Sequence, residues 1–270
     1  MKTIRIQKNW LVKAIKSGVL NVSDIPYKSW DEKAKIDAII SKIKVYWKDA
    51  SKSLLSNMII PSEKYTDAVF ESIPSFIKSG ILSENIENER VCLLVDSENI
   101  KGASFCIFYP KYNSYLLYVI KEEYLLMMMI KDDYISDILL SSYSDESHSC
   151  YYSYSDTEYS GLLLFVCNIF SLFEKYAQIE TKTIAQGKKL TTSKARIKNE
   201  SIAPFKYRTS RYYTRCIRND NFKVRGHMRF QPCKDENGDW THKLIYIKEF
   251  LKHGYHRSAE LEKKGIVIYN

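Results

Sequence analysis

Glycine and proline are scarce, with nine and six in 270 residues. That composition excludes collagen-like and low-complexity chains and argues against disorder on a large scale. The six cysteines, Cys92, Cys106, Cys150, Cys167, Cys216 and Cys233, are scattered and include no C-x-x-C pair. The start, Met1-Lys2-Thr3-Ile4-Arg5, has no apolar core followed by a small-residue cleavage site. Reduced thiols in a cytoplasmic protein are therefore expected. The longest apolar run, 162–170, is interrupted by Asn168. It falls far short of the roughly 20 residues that span a bilayer, so a buried helix is expected and a membrane is not an expected partner. No G-x-x-x-x-G-K-[ST], G-x-S-x-G or G-x-G-x-x-G occurs. Nucleotide hydrolysis and Rossmann chemistry are unsupported, and no cofactor is expected.

What is present is a globular composition, 45% apolar and 27% charged, with 21 tyrosines. The net charge of +9 is unevenly spread. Residues 1–181 carry 20 Lys/Arg against 24 Asp/Glu, and residues 182–270 carry 21 against 8. Such a block points to a polyanionic partner or to a solvated tail.

The spacing of Trp10, Leu11, Ala14 and Ile15 predicts a first helix that stops at Gly18. Ser29 followed by Glu32 predicts a cap. Ile36, Ile39, Ile40, Ile43, Trp47, Ala50 and Leu54 then form one apolar stripe at helical spacing. A third helix is predicted after Pro61-Ser62, ending near Gly80 and open to a break at Pro74. The period then changes to that of strands. Residues 90–96, 103–109, 115–121 and 124–130 read as an antiparallel meander, and 135–140 can add to it. Residues 141–160, rich in Ser, Tyr and Asp, read as an exposed loop. Residues 161–177 form a buried helix, and 178–184 can form one more strand. The expected class is α+β, organised as a body (1–184), a basic linker or arm (185–206) and a basic helix–hairpin unit (207–270). That last unit can complete the same sheet.

Within the basic unit, 209–219 has helical character, with Arg211, Arg215 and Arg218 on one face, joined by Arg208 if the helix reaches it. Residues 222–231 alternate with period two. Lys223, Arg225, His227, Arg229 and Gln231 share one face, and Asn237-Gly238 signals a hairpin. Centred on that dipeptide, Arg229 falls opposite Tyr246, and His227 opposite Lys248. Cations beside an aromatic ring suit phosphate contact and base stacking. The same pattern also serves as an ordinary solvated face that resists aggregation.

Two further chemistries draw on the same residues. His227, His242, His253 and His256, with Cys216 and Cys233, match no zinc-ligand spacing, and no metal is expected. A metal-independent ribonuclease would use His227 with His242 or Tyr246 as proton carriers and Arg225 and Arg229 on the phosphate. The carboxylates Asp96, Glu98, Glu122, Glu123, Asp132 and Asp133 fall at strand ends, where solvated charge is expected. The Met127-Met128-Met129 triplet reads as core filling.

The run Val224-Arg225-Gly226-His227-Met228-Arg229-Phe230-Gln231-Pro232-Cys233 is followed by Lys243-Leu244-Ile245-Tyr246-Ile247 and Lys252-His253-Gly254-Tyr255-His256-Arg257. Together they resemble a C-terminal signature of uncharacterised bacteriophage and mobile-element proteins. The signature reads VRGH-aromatic-R-x-QP, then KLI-aromatic-I, then GY-x-R. Met228 departs from it, standing where the pattern has an aromatic residue. The resemblance implies a bacterial cytoplasmic setting and an accessory role, and it implies no activity. The expected function is a nucleic-acid-binding accessory protein using Arg211, Arg215, Arg218, Lys223, Arg225, His227, Arg229, Tyr246 and Lys248. The alternatives are a protein-binding effector acting on a host protein and the ribonuclease above. Catalysis is the less favoured outcome.

Overall fold

The chain opens with a strand, β1 (Lys2–Ile6), and two helices whose starts follow from side-chain chemistry. The Asn9 side chain accepts the Val12 N–H at 2.8 Å and caps α1 (Trp10–Ser17). Gly18 ends that helix in the left-handed region, φ 69°, and its N–H donates to the Ala14 carbonyl. Ser29 accepts the Glu32 N–H and caps α2 (Trp30–Ser56). All seven residues of the predicted stripe on α2 are buried. The computed structural model describes residues 1–87, 90–95, 97–143, 149–155, 160–177, 179–209 and 221–253.

Strand β2 (Met58–Pro61) leads into α3 (Glu63–Glu71) and α4 (Ile73–Lys78). The predicted third helix is thus two helices, divided at Ser72. Pro74 lies in the first turn of α4, where its missing N–H costs no intrahelical bond. Strands β3 (Leu82–Glu87) and β4 (Arg90–Val95) form a separate antiparallel ribbon, followed by the short α5 (Ser97–Ile100). The predicted first strand of the meander, 90–96, is β4 and pairs with β3 outside the main sheet. The other three follow as β5 (Ser104–Tyr109), β6 (Ser114–Ile120) and β7 (Tyr124–Lys131), and the added strand is β8 (Tyr134–Tyr143). Strand β9 (Ser149–Ser155) corrects the reading of 141–160 as a loop. It pairs with β8, and Tyr152 and Tyr154 pack against the core beneath α2. The Ser/Tyr run is a period-two strand with the Tyr152 and Tyr154 rings on its apolar side.

Helix α6 (Ser160–Tyr176) precedes β10 (Glu180–Ile184), β11 (Lys189–Thr191), β12 (Ala195–Asn199) and β13 (Phe205–Thr209). Residues 185–206 are therefore strands and tight connections, not a linker or arm. The C-terminal part contributes β14 (Asn221–Val224), β15 (His227–Lys234), β16 (Trp240–Ile247) and β17 (Phe250–His253).

The main sheet has eight strands in the order β10-β13-β2-β5-β6-β7-β8-β9. It is mixed, not wholly antiparallel as predicted. β2 runs parallel to both β5 and β13. Parallel neighbours need a crossover, and α3 and α4 supply it between β2 and β5. A smaller sheet joins β1, β12 and β11, with β1 parallel to β12.

Both faces of the main sheet are covered. On one side Cys106, Phe108, Leu117, Leu126 and Met128 pack under α1, α2 and the small sheet. On the other, Phe105, Ile107, Leu116, Tyr118 and Met127 pack under α3, α4 and α6. Met127 and Met128 thus fill opposite cores, as core-filling residues on a strand must. Asn168, the polar break in the apolar run of α6, accepts the Tyr118 hydroxyl at 2.7 Å. Among the described residues no helix is long and apolar enough to cross a membrane.

The turn after β12 is held by two buried side chains, Asn199 and Ser201. Asn199 Nδ2 donates to the Ile184 and Ala203 carbonyls at 2.9 and 2.8 Å, and its Oδ1 accepts Ser201 N–H and Oγ–H. Asn199→Ala leaves these buried groups without their partner, at roughly 1–3 kcal/mol per orphaned group. Urea unfolding is expected to show a loss of at least about 2 kcal/mol with an unchanged m-value.

Candidate nucleic-acid interface

The hairpin forms, but not in the predicted register. Arg229 faces Ile245, His227 faces Ile247 and Met228 faces Tyr246. The cause lies in the turn. A two-residue Asn237-Gly238 turn would pair Glu236 with Asp239. Instead the Asp235 carboxylate accepts the N–H groups of Asn237 and Asp239, at 2.9 and 3.0 Å. Gly238, φ 89°, donates to the Asp235 carbonyl, and a five-residue loop separates Lys234 from Trp240. One residue of slip moves every side chain of the return strand to the other face.

The cations of β15 still point outward, because Met228 on the opposite face is buried in the core under α4 and α6. Ser75 Oγ donates to the Met228 carbonyl at 3.2 Å. His227 and Arg229 are exposed, as are Lys243 and Lys248. Tyr246 is turned inward. It is half-buried, edge-on to Phe173 at 6.4 Å, and is removed from the predicted cationic face. Burial, reinforced by the Glu249 charge and opposed by Arg225, raises its phenol pKa. The hairpin is a two-stranded sheet of its own that docks on α4 and α6; it does not extend the main sheet.

Other predicted residues are placed elsewhere. The predicted strand 222–231 is interrupted at Arg225-Gly226, so Lys223 belongs to β14, which pairs with β17. Arg225 is mostly buried and forms an ion pair with Glu71 of α3. Arg208 lies in β13, not on a helix. Arg211, Arg215 and Arg218, with the predicted helix 209–219, and likewise His256 and Cys216, lie outside the described residues. His227 Nδ1 donates to the Arg225 carbonyl at 2.8 Å. His242 pairs with Pro232, five positions along from His227 and on the other face. That is roughly 17 Å of strand, so the two imidazoles cannot serve one phosphate as acid and base. Among the described residues no three His, Cys, Asp or Glu side chains gather as metal ligands.

The structure adds an aromatic platform. Beyond Met228 the inward face of the hairpin projects past the body. There the Phe230 and His242 rings stack at 4.8 Å and 19°. Lys234 lies over the Trp240 ring at 5.6 Å, and Trp240 is 74% exposed. The signal was in the sequence, since these four residues alternate in register about the turn. Only the correct register brings them onto one face.

A second polar centre lies at the far end of α6. Arg208 Nη2 donates to Glu174 at 2.6 Å and to Asn57 Oδ1 at 3.2 Å, and Tyr65 donates to the other Glu174 oxygen. Burial, then the Glu174 charge, holds the Tyr65 phenol well above its ordinary pKa. Beside this cluster a cleft of about 560 Å³ opens between α5, α6 and the first residues of β5 and β13.

Comparison of the chain with protein-family models, curated proteins and solved structures finds no match, so the function of both sites is argued from their geometry.

Gly226 is fixed by its neighbour. A Cβ at this position would collide with the Tyr246 hydroxyl, whose ring is held by Phe173. Gly226→Ala is expected to destabilise the docked hairpin by about 1–3 kcal/mol. Adding Tyr246→Phe should recover part of that loss. A double-mutant cycle by denaturant unfolding reads the coupling, and additive losses would show that the two residues do not meet.

Proposed function

We propose that the C-terminal hairpin binds single-stranded nucleic acid. The observation that carries this is the exposed Trp240, with Lys234 over its ring and the stacked Phe230–His242 pair beside it. Every nucleobase has a π-face, so such a platform accepts bases without reading their sequence. Arg229 and Lys243, on the other face of the same hairpin, supply cations for the backbone, and Lys248 follows at the end of β16. The excess of Lys and Arg over residues 182–270 favours approach of a polyanion. The C-terminal signature extends this reading to an accessory protein of a phage or mobile element, acting in the bacterial cytoplasm.

Fluorescence anisotropy with labelled single-stranded DNA and RNA tests it. Trp240→Ala should weaken binding by about 1–3 kcal/mol, the value of one base stack. Arg229→Glu with Lys243→Glu should lower affinity and flatten the dependence of log K on log salt, by about 0.7 for each phosphate no longer neutralised. No affinity for either strand type at low salt would sink the proposal. A partner that survives nuclease treatment in a lysate pull-down would favour a host protein instead.

A further inference from the structure

The cleft beside α6 is cationic in an unusual way. Lys206, at the start of β13, lines it together with Lys175 of α6 and Lys101. Lys175 donates to the Asn99 carbonyl at 2.9 Å, and Lys101 is paired with Glu98 and Glu122. Lys206 is half-buried and has no hydrogen bond or ion pair among the described residues. The one carboxylate in the lining, Glu174, is already bound by Arg208 and Tyr65. Burial, with the nearby Arg208 charge, lowers the Lys206 pKa, and Glu174 opposes this only in part. Arg208 Nε is also buried without a partner among the described residues.

A half-buried ammonium whose nearby carboxylate, Glu174, is already bound by Arg208 and Tyr65 is incompletely compensated, and an anion entering the cleft would offset that cost. The type of anion follows from the donors. A planar carboxylate is best matched by the two-pronged fork of an arginine. The fork of Arg208 is committed to Glu174, Asn57 and Thr181. What remains are lysine ammoniums on separate elements, with Ser56 and Ser104 also in the lining. Ammonium point charges suit a phosphate, which can accept from several directions.

We infer that this cleft is a binding site for a phosphorylated small molecule, with Lys206 as its central cation. The site is separate from the hairpin platform and does not depend on its function. The same phosphate chemistry could be offered by a nucleic-acid backbone, and the experiment distinguishes the two sources.

Pyrophosphate is the first probe, added to the full chain and followed by thermal unfolding. The melting temperature should rise with pyrophosphate concentration in wild type and in Lys206→Arg, and stay flat in Lys206→Met. Pyridoxal 5′-phosphate trapped with borohydride is the second, because an aldehyde bearing a phosphate should label the least protonated lysine in a phosphate site. Peptide mapping should place the label on Lys206, and pyrophosphate should protect it at least tenfold. Label spread over surface lysines, or an undiminished pyrophosphate response in Lys206→Met, would overturn the assignment. So would the absence of any pyrophosphate response in wild type. Protection of Lys206 by a single-stranded oligonucleotide but not by pyrophosphate would assign the phosphate to a nucleic-acid backbone and overturn the small-molecule reading. Loss of oligonucleotide binding in Trp240→Ala with an intact pyrophosphate response separates this site from the hairpin.

Discussion

All seven residues of β6 are buried, and its neighbours β5 and β7 send alternate side chains into two different cores. A sheet in that position cannot leave either face to water, because each face carries a continuous apolar surface. Two covering layers follow from this requirement. The long helix α2 meets it on one side, with Trp47, Ile43 and Ile40 at the centre. On the other side α3, α4 and α6 share the work, with Tyr65, Phe76 and Phe170 meeting the sheet. The positions of both polar centres are consequences of how that second layer ends.

The second layer is made of three helices, and gaps between separate helices must be filled or solvated. At the α4–α6 end the hairpin fills the gap, with Met228 seated in the core and Tyr246 against Phe173. Only the base of the hairpin is consumed in this way. Its outer half, with Phe230, Trp240 and His242, extends beyond the surface it covers. At the α5–α6 end no such element enters among the described residues, and the sheet face there carries Lys206 and Arg208 in place of apolar residues. Arg208 is neutralised by Glu174, while Lys206 is left facing the cleft. Removing one member of a buried pair costs far more than never having had it, which ties Glu174, Arg208 and Tyr65 together as a unit.

The elements that sequence reasoning resolves are those specified by local pattern. The stripe and cap of α2, the apolar run of α6 and the strands β5, β6 and β7 each need only neighbours in sequence to be recognised, whereas 90–96 is recognised as a strand but not as a partner of β3. The elements it misses depend on distant partners. β1 and β12 are each five residues of mixed character, joined by parallel pairing across almost 200 positions. β13 is divided in the sequence between the basic linker and the unit after it, and only the burial of Phe205 in the first core marks it as a strand of the sheet. The hairpin is legible in the sequence, but its register is decided by the Asp235 carboxylate and not by the Asn237-Gly238 pair. That single side chain moves Tyr246 from the predicted interface to the core, and it brings Phe230 and His242 into stacking contact. The Lys206 cleft has no sequence signature, because its residues come from four separate segments.

The charge asymmetry also takes on a different meaning. Three acidic residues of the body, Glu63, Glu71 and Glu174, are paired with Lys194, Arg225 and Arg208 of the basic third. The mild acidity of one part and the basicity of the other are therefore partly complementary within the fold. Exposed pairs such as Glu63–Lys194 add little stability, so the complementarity is one of placement more than of energy. It follows that the count of Lys and Arg overstates the charge offered to a partner. Arg225 and Arg208, which look equivalent to Arg229 in the sequence, are spent on holding the hairpin and β13 in place. Of the predicted interface residues whose side chains are described, Arg229, His227 and Lys248 remain exposed. A cationic stretch becomes an interface only at the positions where the fold has not already used the charge, and here those positions lie on the same hairpin as the exposed aromatic rings, on its other face.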